Sequence, residues 1–244
     1  LDKHYDRLCA SADRLLAPLD RSTLPDHDTI GRLLESNELR SARVRVTVTA
    51  DDMLRTDSSP EHNLTVCATV SPASQYPQEV YDKGVTAVIS KYRQSTADPL
   101  AGHKTTNYLA RLVALNEARK AGCDEALWFT PNNLLAEASI SNIFIVSNGV
   151  VSTPPTDTPV LPGIARGLVL ELCVDGGIQF AQRSITIDDL FDADEVFLTN
   201  SIMRILPVWR IEKREIGGGT PGPVTRGLTE QYKSRVAHEC RNDD

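Results

Sequence analysis

The sequence predicts a mixed α/β (α+β) protein of two domains, and three observations carry that reading. Arg43-Val44-Arg45-Val46-Thr47-Val48-Thr49 alternates strictly between polar and apolar, the period-two signature of a strand with one buried face. Leu1, Tyr5, Leu8, Ala12, Leu15 and Leu16 recur at helical spacing. Around Gln94 to His103 the apolar pattern lapses, and Ser95-Thr96-Ala97-Asp98-Pro99 reads as a linker. That lapse places the boundary between a first domain, residues 1–98, and a larger second one, residues 99–244.

The elements follow in order. A first helix covers Leu1 to Leu16, and a second runs from Asp28 to Ser36 behind a cap at Asp26 or Asp28. Leu1 is not methionine and already sits inside an amphipathic pattern, so a preceding segment is expected. After the alternating strand, Asp51 to Glu61 is polar with Pro60 inside it, a loop or hairpin tip. Leu64 to Val70 and Val85 to Ile89 read as strands. From Asn107 a helix sets Leu109, Leu112, Val113 and Asn116 along one stripe, with Glu117, Arg119 and Lys120 polar and Gly122 as its C-cap. Glu125 to Thr130 is a strand. Ile143 to Ser152 is a hairpin about Asn148-Gly149, whose turn positions both demand positive φ. A proline-rich loop, Pro154 to Pro159, leads to a helix opening at Pro162-Gly163. Strands at Glu195 to Thr199 and Val208 to Ile211 and a helix from Val224 to Ala237 complete the chain.

Composition narrows the function. The 244 residues are 41% hydrophobic and 24% charged, ordinary for a globular protein with a sizeable core. A net charge of -7 argues against a nucleic-acid partner. No apolar run approaches the ~20 residues that span a bilayer, so no membrane partner is expected. Five scattered cysteines without a CxxC pair suggest neither a metal site nor a disulfide framework, and free thiols point to the cytoplasm.

Three segments carry chemistry. Lys104, in Gly102-His103-Lys104-Thr105-Thr106-Asn107-Tyr108, sits ahead of a helix rather than on its polar face. A lysine is ordinarily a solvated charge, but one in a poorly solvated pocket has a depressed pKa and condenses with aldehydes. Leu161-Pro162-Gly163-Ile164-Ala165-Arg166 opens a helix, where free N–H groups and the helix dipole favour an anion and Gly163 permits close approach. Glu137 leads into the apolar hairpin, and a carboxylate buried there requires a cation or a donor.

Taken together, Glu-x-Ser-x-x-Asn-Ile-Phe at residues 137–144, a following Thr-Pro and then Leu-Pro-Gly-Ile-x-Arg resemble the class IV aminotransferase signature. Lys104-Thr105-Thr106-Asn107-Tyr108-Leu109 resembles that family's cofactor-lysine segment, and Asp194 to Ser201 with Pro207-Val208 its phosphate-loop strand. His4-Tyr5-Asp6-Arg7-Leu8 resembles its His-x-x-Arg-Leu, so the likeness runs through essentially the whole chain in order. The family includes branched-chain and D-amino acid aminotransferases and 4-amino-4-deoxychorismate lyases, and it begins further upstream than Leu1.

The resemblance implies two α/β domains with pyridoxal 5'-phosphate between them, and a homodimer. It implies that Lys104 carries the cofactor as a Schiff base and shuttles the proton at the substrate Cα. Glu137 would pair with the pyridine nitrogen, and Tyr108 would lie near the phenolic oxygen. Arg7, the N–H groups of Ile164 and Ala165 behind Gly163, and the Ser201 hydroxyl would bind the phosphate. Arg45 on the alternating strand, with Asn200, Ile202 and Met203, are candidates for the substrate pocket; Arg43 shares the face of Arg45, and alternating polar residues ordinarily face water.

The reaction implied is transfer of an amino group from an α-amino acid, compatible with a branched-chain-like donor, to a keto acid. The alternative is a lyase releasing pyruvate and 4-aminobenzoate from 4-amino-4-deoxychorismate. Asn200-Ser201-Ile202-Met203 is closer to that lyase, whereas Tyr108, and Ala50 where lyases carry arginine, favour transamination. A more distant alternative is a cofactor-binding homologue without catalysis.

Overall fold

The structure, a computed structural model, describes residues 1–16, 18–50, 64–74 and 76–239. It divides into two compact units, Leu1–Gln75 and Tyr76–Asp244.

The first unit packs two helices, α1 (Asp2–Leu15) and α2 (His27–Ser36), with a hairpin of β1 (Ala42–Ala50) and β2 (Leu64–Pro72). Tyr5 and Ala12 of α1, with Leu19 and Leu24, are buried against Val46, Val48, Leu64 and Val66. The alternate positions Arg43 and Arg45 are exposed, as period two requires when one strand face is covered. Asp26 caps α2 by accepting the Thr29 N–H at 2.8 Å, which decides between the two expected caps. The polar stretch Asp51 to Glu61, read as a loop, lies outside the described residues.

The second unit opens with α3 (Gln78–Lys83) and continues as β3 (Val85–Arg93), α4 (Leu109–Lys120), β4 (Glu125–Phe129), β5 (Leu135–Ala138), β6 (Asn142–Ser147) and β7 (Val150–Thr153). Then come α5 (Ile164–Asp175), β8 (Phe180–Gln182), α6 (Ile187–Phe191), β9 (Glu195–Asn200), β10 (Arg204–Ile211), β11 (Arg214–Glu215) and α7 (Pro223–Glu239). The strands form one sheet in the order β5-β4-β3-β10-β9-β6-β7-β8, with β11 paired to β10. β3 is parallel to both β4 and β10, joined to β4 through the α4 crossover, and the remaining neighbours are antiparallel except β7 and β8. The residues Asn142 to Val146 are buried without alternation because β6 is covered on both faces. Ile143 and Ile145 enter one hydrophobic cluster, while Phe144 and Val146 enter a second with α5 and α7. Phe144 stacks on Phe197 of β9 with ring centroids 4.9 Å apart.

Two features depart from the sequence reading. The division falls at Gln75, upstream of the Gln94 to His103 stretch, because β3 is a central strand of the second unit's sheet. The face of α4 is also different. Ala114, Leu115 and Ala118 are buried, whereas Leu109, Leu112 and Val113 are 72%, 50% and 39% exposed. Ala114 and Ala118 bring the helix close over Ala126 and Trp128 of β4 and over Val88 and Tyr92, and larger side chains would hold it off. The helix ends as expected: with Gly122 at φ 75°, its N–H reaches Arg119 O and the Cys123 N–H reaches Ala118 O, a Schellman ending. The Asn148-Gly149 turn has φ of 51° and 76°.

Candidate active site

Glu137 lies in the middle of β5, and its side chain is only 7% exposed. Its Oε1 accepts from Arg111 Nη2 at 2.6 Å. Its Oε2 accepts from Asn142 Nδ2 at 3.2 Å and from the Leu161 N–H at 3.0 Å. Burial holds the carboxyl above the ordinary carboxylate range, and the Arg111 guanidinium, the Leu161 N–H and the Gln94 side chain offset part of that rise. Asn142 Nδ2 also donates to Leu161 O at 2.8 Å, so the start of β6 and the segment before α5 are fastened at one point. Gly163 is needed there for space: a Cβ would meet Asn142 Oδ1 at 2.1 Å. As the residue before α5, Gly163 has no side chain to cap the helix, which leaves the Ile164 and Ala165 N–H groups to another acceptor.

Lys104 is exposed, with its Nζ 5.1 Å from the centroid of the Tyr108 ring. The Arg111 guanidinium lies 5.9 Å from the same ring and 5.5 Å from that of Trp128. Lys104, Tyr108, Arg111, Glu137 and Leu161 are thus linked contact by contact across α4, β5 and the mouth of α5.

The β9–β10 connection is fixed by Asn200. Its Oδ1 accepts the Ile202 and Met203 N–H groups at 2.8 Å each, and its Nδ2 donates to Ile140 O at 3.1 Å, three residues beyond Glu137. Arg204 takes a φ of 59° as the loop re-enters β10, and the Tyr81 hydroxyl donates to Met203 O at 3.2 Å. Ser201 is exposed, Ile202 is 42% exposed, and the Met203 side chain belongs to the core. Arg7 and Arg45 lie in the first unit, on α1 and β1.

Four polar residues that organise this region, Gln94, Arg111, Glu125 and Asn142, carry no assigned role from the sequence, although Asn142 lies within the signature. Arg111 shares a stripe with Ala114, Leu115 and Ala118 at i, i+3, i+4 and i+7, and a cation on the inward stripe was the available signal. Glu125 begins β4 and is buried. It accepts from the Ala126 N–H at 2.9 Å, the Ser139 N–H at 3.2 Å and the Ser141 hydroxyl at 3.3 Å. Burial pushes its carboxyl up from the ordinary 4.5 to about 7. Between those two values the folded chain keeps a proton that the unfolded chain has released, so this group's contribution to stability is lost as pH rises through the window. Glu125→Gln should therefore gain stability relative to wild type on going from pH 5 to pH 8, by roughly 3 kcal/mol. Thermal melts of both proteins at the two pH values read this directly, and a gap that does not change with pH contradicts it.

Comparison with known proteins shows the family. The model of the family described as "Amino-transferase class IV" matches residues 1–211. The branched-chain-amino-acid aminotransferase of Escherichia coli K12 is 28% identical over 234 residues, 94% of this chain and 76% of its own. D-alanine aminotransferase of Bacillus licheniformis is 28% identical over 243 residues, 98% of this chain and 83% of its own. Among solved structures, the 4-amino-4-deoxychorismate lyase from Pseudomonas aeruginosa superposes with a TM-score of 0.83 at 27% identity, covering 96% of this chain and 84% of that one. The chain belongs to the class IV aminotransferases, a family of pyridoxal-phosphate enzymes.

Proposed function

We propose that this chain is a pyridoxal 5'-phosphate-dependent aminotransferase that takes the amino group of an α-amino acid and passes it to a keto acid, with Lys104 holding the cofactor. The observation that carries the reading is the linked set Lys104–Tyr108–Arg111–Glu137–Leu161 in the second unit. The donor set suits the group. An aldehyde needs an amine, a protonated ring nitrogen needs a buried anion, and a phosphate needs N–H donors and a cation. Arg166 Nε in α5 and Thr199 Oγ1 in β9 are buried without a partner among the described residues, on the two segments assigned to the phosphate.

In this reading Lys104 Nζ binds the cofactor aldehyde and then carries the proton to and from the substrate Cα. Glu137 Oε1 holds the proton on the ring nitrogen. The Tyr108 hydroxyl orients the phenolic oxygen. Ile164 and Ala165 N–H, behind Gly163, and the Ser201 hydroxyl bind the phosphate, and the family resemblance adds Arg7. The bound cofactor supplies the electron sink that stabilises negative charge at Cα. Asn200 would shape a loop at the substrate pocket, with Ile202 presenting an apolar surface and Met203 anchoring it, and the sequence adds Arg45 as a candidate carboxylate partner.

The amino donor is branched-chain-like on the strength of the E. coli relative, and the enzyme is read as a cytoplasmic homodimer. Cys9, Cys67, Cys123 and Cys173 are free thiols, in keeping with a reducing compartment, and among the described residues no helix is long and apolar enough to cross a membrane.

A second reading is favoured by the Asn200-Ser201-Ile202-Met203 loop and the likeness to the P. aeruginosa lyase: pyruvate elimination from 4-amino-4-deoxychorismate. Titration of the cofactor-loaded protein with L- and D-amino acids separates the two. The expected result is loss of the visible cofactor band with a branched-chain donor and its return on adding a keto acid. A band that no amino acid converts, together with 4-aminobenzoate release, would establish the lyase instead.

A further inference from the structure

Arg111 is an ion-pair partner of Glu137, and its position is fixed from several sides. Its Nη2 donates to Glu137 Oε1 and to Gln94 Oε1, each at 2.6 Å, and its Nη1 donates to Ala138 O at 3.0 Å. Gln94 is held in turn by donating to Pro159 O. The guanidinium lies against Tyr108 and Trp128, and its side chain is 17% exposed. Of the two carboxylate oxygens, Oε2 accepts from Asn142 and Leu161 and Oε1 from Arg111, and the Gln94 side chain also bonds to the carboxylate. A second cation, Arg166 of α5, acts on Glu137 through its field, but its Nη2 is committed to Pro154 O and Gln182 Oε1.

We propose that Arg111 is a positioning residue for the reaction: it favours the anionic form of Glu137 within the protein interior and fixes the orientation of its carboxylate. The proposal rests on the reading of Glu137 as the partner of the cofactor ring nitrogen. A neutral carboxyl could not hold a proton on the ring, and burial alone drives Glu137 towards the neutral form. The Arg111 charge offsets part of that drive at hydrogen-bond distance, and the contacts to Gln94 and Ala138 set the angle from which it does so. Asn142 and the Leu161 N–H add neutral donors and cannot replace the charge.

The test uses the full chain without cofactor, labelled with 13C at glutamate carboxyls and followed by NMR between pH 5 and pH 9. The Glu137 signal is the one missing from Glu137→Gln. In Arg111→Gln the pH at which Glu137 takes up its proton should rise by at least about one unit, a tenfold change in the equilibrium, and Arg111→Lys should bring it back towards wild type. An unmoved Glu137 titration in folded Arg111→Gln overturns the proposal. Should Arg111→Gln fail to fold, Arg111→Lys carries the test: a wild-type-like titration supports the charge role, and one displaced upward by a unit or more overturns it. A purely structural role for Arg111 would not move this titration selectively. Failure of the wild-type chain to take up pyridoxal phosphate is a separate result, and it would overturn the reading of the site rather than the pairing measured without cofactor.

Discussion

Lys104→Ala should lose the covalently held cofactor, its visible absorption band and at least about 10⁴-fold in turnover. The size of the effect follows from two functions residing in one amine. Proton transfer by a positioned base contributes about 10²–10⁴-fold, and covalent attachment adds to it. Lys104 is exposed and lies ahead of α4, outside the buried clusters that hold the unit together. The variant should therefore fold, and it should still bind pyridoxal phosphate reversibly through Glu137 and the mouth of α5. Spectra before and after dialysis, with single-turnover rates, measure both parts. A borohydride-reducible band that survives the substitution would mean that another lysine holds the cofactor.

Glu137→Gln should retain the cofactor but slow proton abstraction on the order of a hundredfold or more, because a neutral amide cannot keep the ring nitrogen protonated. KM should change far less than kcat, since in the proposed reading Glu137 would act on the cofactor ring rather than on the substrate's side chain. The same change should destabilise the protein by about 3 kcal/mol, because Arg111 loses its anion while its side chain stays 17% exposed. Rate and melting temperature thus report different consequences of one ion pair. An unchanged rate in a stably folded variant would remove Glu137 from the ring-nitrogen role.

The parts legible in the sequence are those where one local rule decides the outcome. The alternation of residues 43–49 predicts β1, Asn148-Gly149 predicts the β6–β7 turn, and Gly122 predicts the end of α4. The family resemblance is carried by spacing among five segments, each unremarkable alone, and the match over residues 1–211 bears it out. What escaped depends on packing. β5 is a four-residue strand with Glu137 at its centre, and nothing in its composition marks a strand. The inward face of α4 follows its alanines, which fit close to β4, and hydrophobicity alone selects Leu109, Leu112 and Val113 instead. Arg111 is not legible for the same reason: its place beside Glu137 depends on that helix rotation. The division at Gln75 depends on β3 pairing with β10, more than a hundred residues further along.

The most direct measurement of the central claim is to load the wild-type chain with pyridoxal phosphate, reduce it with borohydride and map the modified residue by peptide mass spectrometry. A phosphopyridoxyl group is expected on the peptide containing Lys104 and on no other lysine. Modification at a different lysine, or none after loading, would contradict that claim.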